Sequence, residues 1–196
     1  MSPCQPPFVV LALFGLPGCG KSTLARALSQ DAGLAVIDRD AIRAGMFPPY
    51  VMGVQEKPAA TAALWLAVRA MLESGQGLII DGMTFARQAD RATARGLAEA
   101  FGATWMPVEV RVSVREAVAR IRAQGVHPSK ERTPRLVRQV AARFAPVDAE
   151  TLVVDGRLPL PEQRAQVEAL MLRIAPAGAR SSAGSGGSGA AGEGCR

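Results

Sequence analysis

Cysteine is scarce: Cys4, Cys19 and Cys195 are the only three in 196 residues. An odd count, with two near the termini, gives no disulfide framework and predicts a reduced, cytoplasmic setting. Histidine occurs once, at His127. It offers a base in principle, but a single histidine in a polar loop reads as incidental. Long apolar runs are also missing. The clean stretch Phe8 to Phe14 is far short of the about 20 residues that a membrane span needs. No cationic segment precedes it, so neither an anchor nor a secretion signal is expected.

What the chain does have is a hydrophobic content of 48%, enough for one globular domain with a substantial core. The net charge is +6 and unevenly spread. Between Arg111 and Arg143, nine basic residues face only Glu116 and Glu131, a local balance of +7. Such a segment attracts polyphosphate or a nucleic acid backbone, or else solvates helix faces.

Strand and helix patterns alternate along the chain. Phe8 to Phe14 reads as a strand buried on both faces. A helix follows from about Ser22 to Gln30, then strands at Leu34 to Ile37, Leu78 to Asp81, Thr104 to Val112 and Thr151 to Val154. Helices are expected at Ala59 to Glu73, Ala86 to Phe101, Ser113 to Gln124, Pro134 to Phe144 and Pro161 to Arg173. Ser113 and Glu116 read as a capping box. This alternation predicts an α/β fold with a parallel sheet and helices on both faces. Residues 1–175 form the expected domain. Residues 176–196, rich in Gly, Ser and Ala, read as a disordered tail.

The segment Gly15-Leu16-Pro17-Gly18-Cys19-Gly20-Lys21-Ser22-Thr23 fits the phosphate-loop pattern G-x-x-x-x-G-K-[S/T]. Its glycines let backbone N–H groups approach phosphate oxygens, and the following helix adds its positive end. Lys21 is expected to reach the β and γ phosphates of ATP, and the Ser22 hydroxyl to ligate Mg²⁺. Cys19 reads as a small filler or a redox-sensitive thiol. Asp81 ends an apolar strand and is a second expected Mg²⁺ ligand. Met83 and Phe85 read as acceptor-pocket or core residues, and Trp65 and Trp105 as core.

Asp40 and Arg43 lie three apart in Val36-Ile37-Asp38-Arg39-Asp40-Ala41-Ile42-Arg43, at the carboxyl end of the second strand. The carboxylate can take the proton of an attacking hydroxyl, and the arginine can hold an anionic group. Asp40 can also be a helix cap ion-paired with Arg43.

GLPGCGKSTLARAL followed by VIDRDAIR, LIIDGMTFARQADR and VSVREAVARIRAQG resembles the P-loop kinases of the polynucleotide 5′-hydroxyl kinase type, within a wider set of small AAA-like kinases. The resemblance implies a P-loop NTPase three-layer α/β/α sandwich, with a five-stranded parallel sheet of order 2-3-1-4-5 and a basic helical lid. It implies ATP-dependent transfer to a hydroxyl, with Asp40 as general base, Arg43 on acceptor and phosphate, and Arg120 near the nucleotide. The family's lid arginine falls on Gln124 here, leaving Arg122, two residues earlier, or Arg132, in the loop Gly125 to Thr133, to supply that charge. The acceptor is either a small molecule or a nucleic acid 5′ end. The alternative is a nucleotide-dependent switch or ATPase without an acceptor. No membrane partner is expected, and self-association is left open. Replacing Lys21 with Met is expected to weaken ATP binding in an equilibrium titration; unchanged affinity would remove the loop from this role.

Overall fold

The computed structural model of the protein describes residues 8–48, 55–123 and 132–174. Strand β1 (Val9–Phe14) consists of six apolar residues, all buried. A strand with no polar face must be covered on both sides, and helices do so. Val9, Leu11 and Leu13 face one layer, built from α1 (Lys21–Ala32) and α7 (Leu160–Ile174) through Leu24, Leu28, Val167 and Met171. Val10, Ala12 and Phe14 face the other, built from α3 (Glu56–Glu73) and α4 (Gln88–Ala100) through Leu64, Val68, Ala94 and Ala98.

β1 pairs in parallel with β3 (Leu78–Asp81) and β4 (Thr104–Arg111). β2 (Ala35–Asp38) flanks β3, and β5 (Leu152–Asp155) flanks β4. The order β2-β3-β1-β4-β5 and the three layers are those of the P-loop NTPase fold, as expected. Because every strand is parallel, all carboxyl ends lie on one edge, where ligands gather in such sheets. A third, smaller cluster joins α5 (Val114–Ala123) to α6 (Pro134–Ala142) through Ala117, Val118, Ile121 and Val137. Among the described residues, no helix is long and apolar enough to cross a membrane.

The element ends differ from expectation where caps decide them. β2 runs on to Asp38, and the side chain of Asp38, not Asp40, caps α2 (Arg39–Met46). Ser113 accepts the N–H of Glu116 at 3.1 Å. The Glu116 carboxylate does not complete a box; it takes Arg120 at 2.9 Å. Thr133 caps α6 by accepting the Leu136 N–H. The lid expected at Gly125 to Thr133, with Gln124 and His127, falls mostly outside the described residues, as does the tail from 176 onward.

Arg91 ties the sheet to the surface behind α6. Its guanidinium donates to the carbonyls of Phe85 (2.7 Å), Pro146 (2.6 Å) and Ala145 (2.9 Å). It lies 4.9 Å from the ring centroid of Phe14 and 5.1 Å from that of Phe144. Only 4% of Arg91 is exposed. Burial depresses its pKa below the ordinary arginine value, opposed by Asp148 and Glu109. Three carbonyls lose their donor if this side chain is removed. Arg91→Leu is therefore expected to destabilise the fold by about 2–4 kcal/mol, read as a melting temperature lower by on the order of 5–15 °C. The exposed Arg95→Leu, which breaks surface pairs with Glu99 and Glu150, should leave it nearly unchanged.

Candidate active site

At the carboxyl end of β1 the chain turns sharply at Gly15, where φ is 134°. A Cβ there would sit 2.5 Å from the Val110 carbonyl oxygen and 2.8 Å from the Cys19 sulfur. Only glycine satisfies both the conformation and the space. Cys19 is fully buried and fills the interior of the loop. Lys21 curls back over the loop: its ammonium donates to the Gly15 and Leu16 carbonyls at 2.9 Å each, and approaches the Cys19 Sγ at 3.5 Å. Helix α1 begins at Lys21 with no side-chain cap and no acidic residue in its first turn. Its leading N–H groups and positive end are thus left for an anion.

Arg120 braces this loop from outside. It donates to the Cys19 carbonyl at 3.2 Å and the Gly156 carbonyl at 2.9 Å while pairing with Glu116. It stands beside the loop, with these donors spent on backbone oxygens.

Two carboxylates end neighbouring strands. Parallel register sets Asp38 beside Asp81. Asp38 accepts the N–H groups of Asp40 (2.7 Å) and Ala41 (3.3 Å). Burial raises its carboxyl pKa, and the nearby Asp81 raises it further; the two N–H groups pull it the other way. Gly82 makes this approach possible. At φ 74° it brings the end of β3 so close that a Cβ would collide with Asp38 Oδ1 and stand 2.7 Å from the backbone nitrogens of Arg39 and Asp40.

Asp81 is 2% exposed, and its Oδ1 has no hydrogen-bond partner. A buried carboxylate oxygen without a partner suits a cation. Ser22 and Asp81 line the same cleft. Among the described residues no group of three or more His, Cys, Asp or Glu is placed to hold a metal. A Mg²⁺ ion here would therefore rest on a hydroxyl, one carboxylate, phosphate oxygens and water, which is how this ion is usually held.

Two clefts meet at this edge. One runs along the loop and the start of α1, past Gly18, Gly20, Thr23, Arg26, Asp38 and Ala44. The other opens toward Lys57, Met83, Arg87, Leu136, Val140 and Arg143. They share Lys21, Ser22, Asp40, Gly82 and Arg132. Asp40 thus stands at the junction, with Arg39 at 3.4 Å.

The structure separates other residues that the sequence grouped. Arg43 does not reach either cleft: it is 2% exposed and pairs with Glu56 of α3 at 2.9 Å. Although three residues of helix keep it near the face of Asp40, the Arg43 guanidinium is drawn under α3 by Glu56. Arg122 lines a separate hollow with Arg115 and Arg138, whereas Arg132 lines both clefts. Phe85 is wholly in the core, 5.0 Å from the Phe14 ring, with φ 50°. Met83 is buried yet lines the cleft that opens toward Lys57 and Arg143. Trp65 and Trp105 pack against the core. Asp38, Arg39, Lys57, Arg87 and Arg143 were not singled out from sequence. Asp38 had a signal: it ends an apolar strand as Asp81 does.

The raised pKa of Asp38 has a measurable sign. Its native form holds a proton more tightly than the unfolded chain does. The stability it gives is full below the ordinary value of 3.8 and is lost as pH rises through the raised one. Asp38→Asn keeps an oxygen for the cap and removes the charge. Without divalent cations it is expected to raise the melting temperature at pH 7, with the gain vanishing below pH 3.8. A gain that persisted at low pH would not be electrostatic.

The AAA domain family model matches residues 10–147. No curated protein matches the sequence. Among solved structures, a provisionally assigned kinase from Chloroflexus aurantiacus j-10-fl superposes with a TM-score of 0.67 at 23% identity, over 87% of this chain and all of the other. A gluconokinase from Sinorhizobium meliloti 1021 gives 0.65 at 19%, covering 87% and 95%. The Mycobacterium tuberculosis APS kinase, solved with AMPPNP and APS, gives 0.62 at 17%, covering 86% and 99%. At these identities the likeness is one of fold. The family match is of another kind: it runs from β1 past α6 and takes in the loop, Asp40 and Asp81, and by it the chain belongs to the AAA domain family.

Proposed function

We propose that this chain is an ATP-dependent kinase that transfers the γ-phosphoryl group to a hydroxyl of a small molecule, with Asp40 as general base. The observation that carries it is the junction of the two clefts, where Lys21, Ser22 and Asp40 line both. A donor cleft and an acceptor cleft that meet at a lysine, a hydroxyl and a carboxylate have the layout that direct transfer requires.

The loop amides and the first turn of α1 bind the β and γ phosphates. Lys21 leaves the Gly15 and Leu16 carbonyls to follow the negative charge. Ser22 and Asp81 would hold Mg²⁺, which neutralises phosphate charge when bound. The acceptor hydroxyl oxygen forms its bond to the γ phosphorus as the bond to the β-bridging oxygen breaks. Asp40 takes the hydroxyl proton, and ADP leaves. The Asp38 side chain fixes the Asp40 backbone. The Arg43–Glu56 pair, buried between α2 and α3, holds the helix that carries Asp40, so Arg43 acts as a positioning residue. Arg132, facing both clefts, is the better of the two candidates for a lid charge.

The solved relatives named as gluconokinase and APS kinase favour a small-molecule acceptor. A nucleic acid 5′ end is the second reading, suggested by the polynucleotide kinase resemblance and the +7 segment. The cleft beyond Asp40 measures about 140 Å³, which suits a metabolite better than a strand.

Asp40→Asn is expected to lower transfer from radiolabelled ATP by about 10²–10⁴-fold while nucleotide affinity is retained. The assay offers sugars, nucleosides and 5′-hydroxyl oligonucleotides. Retained transfer would take Asp40 out of the reaction.

A further inference from the structure

Resting on the kinase reading, we infer that the acceptor is a small anion, a hydroxylated metabolite bearing a carboxylate or phosphate that Arg87 and Arg143 recognise. Beyond the residues shared with the donor side, the charged lining of the acceptor cleft is Arg39, Lys57, Arg87 and Arg143 against Asp81 and Asp90. Asp81 is buried at the metal side. Asp90 meets Arg87 only at 3.9 Å, a loose pair on a side chain that is 73% exposed. With the shared Lys21, Arg132 and Asp40 included, three carboxylates face six cations, and Asp40 is already taken by Arg39 at 3.4 Å. Like charges gathered around a concavity repel one another, and a ligand of opposite sign relieves that repulsion.

The cations come from different elements. Arg87 precedes α4, Arg143 follows α6, and Arg39 opens α2. Their convergence is a product of the fold and not of one charged helix face. Arg39 adds a second sign of an absent partner: its Nε is buried without a hydrogen-bond acceptor, an arrangement that folded proteins seldom keep. Met83, Ala86, Leu136 and Val140 supply an apolar wall between these charges, fit for a short carbon chain. Among the described residues no aromatic side chain lines the cleft, so it offers no platform for stacking a base. An arginine fork can grip either a carboxylate or a phosphate through two parallel hydrogen bonds.

The test uses matched pairs: gluconate with glucitol, 3-phosphoglycerate with glycerol, and a 5′-hydroxyl oligonucleotide. Transfer from labelled ATP is measured for each, and binding of the four small molecules to the full chain loaded with ADP and Mg²⁺. We expect an anionic member to be preferred over its neutral partner by tenfold or more in kcat/KM. In Arg87→Ala/Arg143→Ala that ratio should fall at least tenfold, and Arg87→Lys/Arg143→Lys should restore part of it for phosphate more than for carboxylate. Equal transfer to neutral members would overturn the inference and leave the kinase reading standing, as would transfer to the oligonucleotide alone. Anion binding that depends on both arginines, without transfer, would uphold the anion site while counting against the kinase reading. No anion binding to the loaded protein, or a preference that survives the double substitution, would overturn the inference.

Discussion

Strand β1 has no side that water can wet. That single constraint calls for a helix layer above and another below, and right-handed crossovers between parallel strands are the way a chain supplies both. Once the strands are parallel, their carboxyl ends share one edge. The glycine loop leaves β1 on that edge, Asp38 leaves β2 and Asp81 leaves β3. A phosphate-binding turn and two acidic strand ends are thus delivered together by the burial of six apolar residues. None of them needs a long-range signal of its own.

The edge so formed is crowded with charge held in check by geometry. Lys21 is kept on loop carbonyls, Arg120 on two more, and Asp38 on backbone amides. Lys21 and Asp38 are partnered with neutral dipoles instead of with an opposite ion, whereas Arg120 also takes the Glu116 carboxylate. Partners of that kind position a charge without cancelling it, so the field at the junction stays available for a reacting phosphate. Arg43 and Glu56 show the opposite choice. They neutralise each other inside the protein, and their pairing holds two helices together.

Much of this was legible in the sequence. The loop announced itself because its chemistry is local: spacing and glycine content are the function. Asp81 is legible as the acidic end of an apolar strand, and Asp40 as a carboxylate just past one. The strand order came from resemblance, and the structure bears it out. The rest depended on tertiary packing. Arg43 reads in the sequence as a residue for acceptor and phosphate, because nothing local reveals that Glu56 and α3 lie over it. Arg91 carried no local signal, and it is enclosed by two rings far from it in sequence, Phe14 and Phe144. Arg87 and Arg143 meet in one cleft only because that buried side chain clasps the chain behind α6 to the segment before α4. Asp38 took the cap expected of Asp40 because β2 ends one residue later than its apolar run suggests.

The two clefts overlap in just five residues, and the walls beyond them belong to separate parts of the chain. One wall is drawn from the loop, the first helix and the turn from β2 into α2. The other is drawn mainly from the start of α4, from α6 and from the start of α3. On the kinase reading proposed above, the half that handles the nucleotide could be kept while the other is rewritten for a new molecule, through exchanges on these helix ends that leave the sheet and the loop untouched.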